Sequence, residues 1–422
     1  MFKARYRFLC RIIAFAMVIM IGMPNLTAFE ANAADAEPLT AGESLVVSFD
    51  ASNDAITTAI DLTTEAASEV TSENASESSS DVSADATTEA TTEASSDDRV
   101  VINTLNNMRG VWVAFPDFQE MGLYNQKKSA FRKNVKKMYK MFKKNKINTV
   151  FFHVCPCNDA VYPSKTLKWS SYMCPNYKNP GYDPLKILVK EAHNYGLSFH
   201  AWINPYRKTI YSSYNPGKTS SINRVVKIVK EIINNYDVDG IHMDDYFYPS
   251  NSYKSLSVKT KKKNVNKMVK KVYKVIKKKS KNLIFGISPA GNIDYAESIG
   301  CDLSTWMNKK GYIDYIMPQL YWSDKYYLYG KYYTMYTDRL KAWKKLNKNK
   351  KVTMIIGLGL YKAGTYEYND RGWKGKSNII VTQIKKEKKA GCKGFVFFSA
   401  RFMSHKEAKK EMNNYRKYMG ID

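Results

Sequence analysis

From residue 108 onward, apolar side chains recur along the chain at two different periods. Short runs rich in β-branched and aromatic residues read as strands at 110–115, 147–154, 197–204, 238–244, 283–289, 313–321, 352–361 and 394–400. Between them lie Lys-rich stretches with helical periodicity, among them 128–144, 184–195, 223–235, 264–279 and 378–390. Eight strands alternating with helices predict an α/β fold, a single (β/α)8 TIM barrel, whose usual size is about 250 residues plus insertions. A doubly wound open sheet is the main competitor, but no G-x-G-x-x-G turn follows the first strand.

The first hundred residues follow neither period. Lys3, Arg5, Arg7 and Arg11 precede an apolar run over 12–23, and Ala31-Asn-Ala33 supplies a small-x-small site. That order predicts a secretory signal peptide over 1–33. The run is shorter than the roughly 20 residues a spanning helix needs, so no membrane span is expected after cleavage; an uncleaved anchor is the alternative. Residues 34–100 are Ser, Thr, Ala, Glu and Asp with few large apolar side chains to offset the entropy of ordering, which predicts a disordered acidic linker. The folded domain is then 101–422, expected to be a secreted, extracellular monomer associated with the cell wall.

Charge changes the picture when divided this way. The whole chain carries +27, but 101–422 holds 61 basic against 22 acidic residues. Such a field draws in polyanions. For an exported protein these are anionic cell-wall glycans, not nucleic acid. Lysine runs such as 259–263 and 277–279 also serve simply as solvated helix faces. The 31 Tyr and 7 Trp offer flat faces on which a pyranose can lie, as well as core filling. Beyond Cys10, five cysteines remain (Cys155, Cys157, Cys174, Cys301, Cys392), and an odd number at irregular spacing predicts free thiols. No cofactor and no metal are expected.

Barrel sites are assembled where strands end. The fourth strand ends Gly240-Ile-His-Met-Asp-Asp-Tyr-Phe-Tyr-Pro249. Side chains alternate along a strand, so His242 and Asp244 share a face turned to the barrel axis, with Ile241 and Met243 outside. Asp244 there can serve as nucleophile, base or stabiliser of an oxocarbenium-like centre, and Asp245 as a second acid or an orienting group. An Asp that caps the loop or pairs with Arg207 is the plainer alternative. Asp159, after the second strand, is the preferred further carboxyl, ahead of Asp294, Glu297, Asp302 and Asp324. His153, His200 and His242 lie near successive strand ends and either touch substrate hydroxyls or, with Asp244, hold a hydrolytic metal. Trp202, Asn204, Tyr206, Arg207, Tyr246, Gln319, Tyr321 and Trp322 complete the expected substrate-binding set, with Tyr248 a further candidate.

Several long segments resemble the glycosyl-hydrolase-like 10 family. They include Arg109-Gly-Val-Trp-Val113, Asn148-Thr-Val-Phe-Phe152, Asp159-Ala-Val-Tyr-Pro-Ser164, Phe199-His-Ala-Trp-Ile-Asn-Pro-Tyr-Arg207, the strand-four segment from Tyr236, Phe285-Gly-Ile-Ser-Pro289 and Ile313-Asp-Tyr-Ile-Met-Pro-Gln-Leu-Tyr-Trp322. The resemblance covers about 108–404 and implies a TIM-barrel glycosidase of bacterial envelopes acting on peptidoglycan strands stripped of their stem peptides. It assigns the acids to Asp244 and Asp245, with Asp159 in the loop after strand two. Two departures stand out. Cys155 replaces the family's Arg and Asn158 its Gly, and the loop after Arg207 is short. The expectation is a paired-carboxylate glycosidase; the alternatives are a non-catalytic glycan-binding barrel and a metal-dependent hydrolase.

Overall fold

The computed structural model describes residues 100–207, 214–248, 253–348 and 352–421. The expected signal peptide and all but the last residue of the expected linker lie outside the described residues.

Eight parallel strands form the barrel: β1 (Met108–Val113), β2 (Thr149–Cys155), β3 (Ser198–Ile203), β4 (Gly240–Asp244), β5 (Ile284–Ser288), β6 (Tyr315–Ile316), β7 (Thr353–Met354, resuming as Ile356–Leu358) and β8 (Gly394–Phe397). Each pairs with its neighbours in sequence, and β1 pairs with β8. The two halves of β7 divide the closure, the first pairing with β6 and the second with β8. The outer helices are α1 (Lys128–Lys144), α2 (Pro184–Asn194), α3 (Thr219–Asn235), α4 (Val258–Lys279), α5 (Leu303–Asn308), α6 (Met335–Leu346), α7 (Ile379–Lys389) and α8 (Lys409–Tyr418). No helix among the described residues is long and apolar enough to cross a membrane.

Differences from the expected elements have local causes. The sixth strand was expected over 313–321 but is laddered only at Tyr315–Ile316. Pro318 has no N–H to donate. The chain stays in place through separate bonds, Met317 N to Ile287 O, Gln319 N to Pro289 O and Leu320 N to Gly357 O. Helix α4 begins six residues before 264 because Ser257 caps it, its side chain accepting from Thr260 N. Its first turns are mostly lysine and carry no apolar period to read.

Two apolar layers result. One lies between strands and helices and takes residues such as Val225, Val229 and Ile232 of α3 with Ile241 and Met243 of β4. The other fills the barrel itself and is aromatic, with Trp112, Phe151, Trp202 and Tyr315. Such large rings fit because glycines oppose them. A Cβ at Gly286 would lie 2.2 Å from the Tyr315 ring, and one at Gly357 would lie 2.8 Å from Trp112.

Between α6 and α7, buried Glu387 accepts a 2.6 Å hydrogen bond from the Tyr336 hydroxyl. Burial pushes its carboxyl well above the usual range. The folded chain therefore keeps a proton that the unfolded chain releases above about pH 4.5, and stability falls as pH rises from there. Glu387→Gln is expected to flatten that slope. Urea unfolding should show the variant gaining on the parent between pH 5 and pH 7; parallel curves would contradict the assignment.

Candidate active site

The floor of the site is a chain of buried hydrogen bonds. Trp112 Nε1 donates to His242 Nε2 at 3.1 Å, and His242 Nδ1 lies 2.8 Å from the Tyr315 hydroxyl. The indole can only donate, so Nε2 accepts and the imidazole proton sits on Nδ1. The Tyr315 hydroxyl then reaches His200 Nδ1 at 3.4 Å. Burial lowers both imidazoles, His242 well below its ordinary range and His200 to about 4, so both are neutral. These two histidines were expected to touch substrate; the structure sets them fully buried within the barrel, beneath the strand ends.

Above this floor lie the acids. Asp244 Oδ1 accepts the Asp245 peptide N–H at 2.8 Å and Gln319 Nε2 at 3.3 Å. Gln319 is itself held by the Ser288 carbonyl at 3.0 Å. Asp245 Oδ2 accepts the Ala290 N–H at 2.7 Å, which ties the pair to the end of β5. Burial raises both carboxyls, and the two share a side-chain hydrogen bond. For Asp244, that bond, Arg207 and Gln319 work against the rise. For Asp245 the charge of Asp244 adds to burial and pushes it well above the usual range. Of the two, Asp245 is the one that burial and the neighbouring carboxylate push further toward the protonated form.

The cation facing them is Arg207. Its guanidinium lies over Tyr246 at 4.5 Å and Phe115 at 5.0 Å, an aromatic clamp that holds it at the open end. Tyr321 also lies by the acids, stacked on Phe398 and edge-on to Tyr361. His153 stacks on Trp202 with ring centroids 3.7 Å apart, and neither of its ring nitrogens has a hydrogen-bond partner among the described residues. Phe115, Tyr172 and Cys157, all around Arg207, were not anticipated. Reading the end of the first strand as the other strand ends were read would have found Phe115.

Other expected residues stand apart from the pair. Asp159 is buried, but its hydrogen bonds run within its own loop, to the Cys157 N–H at 2.9 Å and to Ser170. It approaches the site only through Cys157 and Tyr172, which it shares with Arg207. Asn204 locks two strand ends, accepting from Trp202 Nε1 at 3.2 Å and donating to the Pro156 carbonyl at 3.1 Å. Tyr206, Tyr248 and Trp322 pack in the outer layer. The metal reading loses one donor, since His242 has both nitrogens engaged. Among the described residues no three His, Cys, Asp or Glu side chains converge to hold an ion.

Both substitutions in the loop after the second strand have a structural account. Asn158 has φ 55, the left-handed region where Gly is favoured and Asn is the best tolerated substitute. Its side chain also donates to the Arg207 carbonyl at 2.6 Å. Cys155 follows a register shift in β2 and packs outward against Tyr162. Positive charge at the site comes instead from β3, through Arg207.

A family model described as glycosyl hydrolase-like 10 matches residues 107–213, 207–261 and 249–375. The chain belongs to that family. It is 28% identical over 322 residues to the glycosyl hydrolase YngK of Bacillus subtilis (strain 168), a match covering 60% of this chain and 61% of that protein. The chain thus spans under two thirds of that relative's length. It is 27% identical over 356 residues to the glycosyl hydrolase DigH of Escherichia coli (strain K12), covering 66% and 79%. In fold it is similar to the catalytic domain of β-amylase from Paenibacillus polymyxa, with TM-score 0.50, 9% identity and coverage of 75% and 99%. The barrel is the TIM barrel that the strand pattern predicts.

Proposed function

We propose that this chain is an exported glycosidase that cleaves peptide-free peptidoglycan strands. The observation that carries the reading is the buried, hydrogen-bonded Asp244–Asp245 pair at the mouth of the barrel, faced by the clamped guanidinium of Arg207. A glycosidic bond needs a proton delivered to its leaving oxygen and negative charge beside the oxocarbenium-like centre. Asp245 holds the proton and Asp244 the charge. The two carboxyls are hydrogen-bonded to each other, closer than the roughly 5–5.5 Å that a double displacement requires. A carboxylate on the far face of the sugar must come from elsewhere, and Asp159 is proposed for it. Arg207 suits the lactyl carboxylate that each denuded muramic acid exposes, and Tyr246 and Tyr321 supply walls for the sugar.

The excess of basic residues supports an anionic polymer as substrate. Not all of that charge lies at the mouth. A cavity of about 660 Å³ on the outer wall, between α1 and α8, is lined by Lys137, Lys140, Lys144, Arg416 and Lys417, with no carboxylate among the described residues. It has no acid–base pair and is not the reacting site, but it adds to the field that gathers polyanions. The test incubates the purified chain with peptide-free strands and, separately, with intact peptidoglycan, following new reducing ends and product masses. Products from the stripped strands are expected. Binding without products would leave a glycan-binding barrel.

A further inference from the structure

Five of the eight exposed large apolar side chains among the described residues lie in one patch: Tyr329, Tyr332, Tyr333, Tyr366 and Tyr368. The patch is built from the loops that follow β6 and β7, on the same face of the barrel as the acids. Tyr326–Leu328 and Lys331–Tyr333 form an antiparallel hairpin, with Tyr327 opposite Tyr332. Its turn is Tyr329-Gly330, with φ 48 and 77. A two-residue turn of that kind favours Asn or Gly at its first position. Tyr329 occupies it instead and is 86% exposed, so neither turn geometry nor burial accounts for the aromatic ring.

The rings are organised around cations. The Arg371 guanidinium lies 3.9 Å from the Tyr327 ring and 4.8 Å from Tyr368, and donates to the Tyr332 hydroxyl at 3.4 Å. Lys374 Nζ lies 4.9 Å from the Tyr366 ring. The nearby carboxylates Glu367 and Asp370 are both paired with Lys362. The base is firm: buried Asp370 accepts from Ser323 N, Ser323 Oγ, Lys362 Nζ and Trp373 Nε1, and it bridges to Tyr326. Lys362 follows Tyr361, whose ring is 5.8 Å from that of Tyr321 at the acid pair. The step from Tyr361 to the patch is made by the Lys362 ion pairs with Glu367 and Asp370.

We propose that this tyrosine–arginine surface is a distal binding platform for an anionic glycan strand, gripping sugars several units from the bond that is cut. The proposal rests on the glycosidase reading for its ligand class. Flat phenol faces suit the C–H faces of pyranoses, and Arg371 and Lys374 suit the strand's carboxylates. Both the charge and the position on the face that carries the acids favour a glycan over a protein partner, because a glycan long enough to be a polymer must leave the cleft across this face.

The test uses the full chain and the double variant Tyr332→Ala/Tyr368→Ala. Both side chains are exposed, so folding is expected to survive, and a melting curve checks this. The probes are long peptide-free peptidoglycan strands and a tetrasaccharide of the same repeat. On long strands KM should rise about tenfold, the equivalent of losing one to two ring contacts, with kcat little changed. On the tetrasaccharide both constants should stay at the parent values. Strand binding is also measured in an Asp244→Asn background, which needs no turnover. Weaker strand binding there supports the platform even if the parent cuts nothing, in which case only the glycosidase reading fails. Unchanged strand binding overturns the platform. So does an equal loss on the tetrasaccharide, or a shift in sedimentation from dimer to monomer, which would make the patch a contact between copies.

Discussion

Replacing Asp244 with Asn is expected to lower kcat on peptide-free strands by roughly 10³-fold, within the range that positioned acid–base groups contribute. The substitution is nearly isosteric. The Asp245 N–H and Gln319 Nε2 can still donate to the amide oxygen that replaces Oδ1. The fold and strand affinity should therefore persist while the negative charge is lost. Asp245→Asn should be almost as damaging, for the opposite reason, since it removes the proton. In the parent, kcat should fall as pH rises and the pair gives up its proton; burial and the Asp244 charge put this limb above the ordinary carboxylate range. The small activity left to Asp245→Asn should lack the alkaline limb. Parent-like turnover in Asp244→Asn, measured from reducing ends, would remove Asp244 from the reaction and return attention to Asp159.

Gly286→Ala should be strongly destabilising. The added Cβ would lie 2.2 Å from two atoms of the Tyr315 ring. A flexible side chain could step aside, but this one cannot easily do so. Tyr315 is fully buried, stacked 6.0 Å from His242 and hydrogen-bonded to it at 2.8 Å. Overpacking costs about 1–3 kcal/mol where the surroundings yield and more where they do not, which lowers Tm by on the order of 5 °C for a domain of this size. Because His242 sits two residues before Asp244, the same methyl should also disturb the acid pair and lower kcat in protein that remains folded. Gly181→Ala is the control. Gly181 has φ +79 and nothing within 4 Å, so only backbone strain applies and kcat should not move. A wild-type Tm for Gly286→Ala would mean that the aromatic interior is looser than these distances describe.

The family pattern and the fold are written along the chain in one dimension. Period-two runs and helical runs alternate eight times, and that alternation is enough for the barrel because strands and helices bury their apolar faces locally. The same two-residue period puts His242 and Asp244 on one face and sends Ile241 and Met243 to the outer layer, where they are found. The Asn at 158 is equally a local matter, since its backbone conformation is one that Asn tolerates.

What the sequence could not carry is partnership between strands far apart in it. His242 lies 130 residues from Trp112 and 73 from Tyr315, and only closure of the barrel turns it from a candidate ligand into a neutral part of the floor. Arg207 is basic in any reading, but its place depends on Phe115 and Tyr246 closing on it from two other strand ends. The sixth strand could not be bounded from its apolar run, because Pro318 leaves single hydrogen bonds where a ladder would continue. The tyrosines after β6 and β7 read as core or loop until Asp370 joins the two loops and leaves those rings in solvent. Periodicity reports which way a side chain faces relative to its own backbone. Burial, protonation and charge pairing depend on what faces back, and the tertiary structure alone decides that.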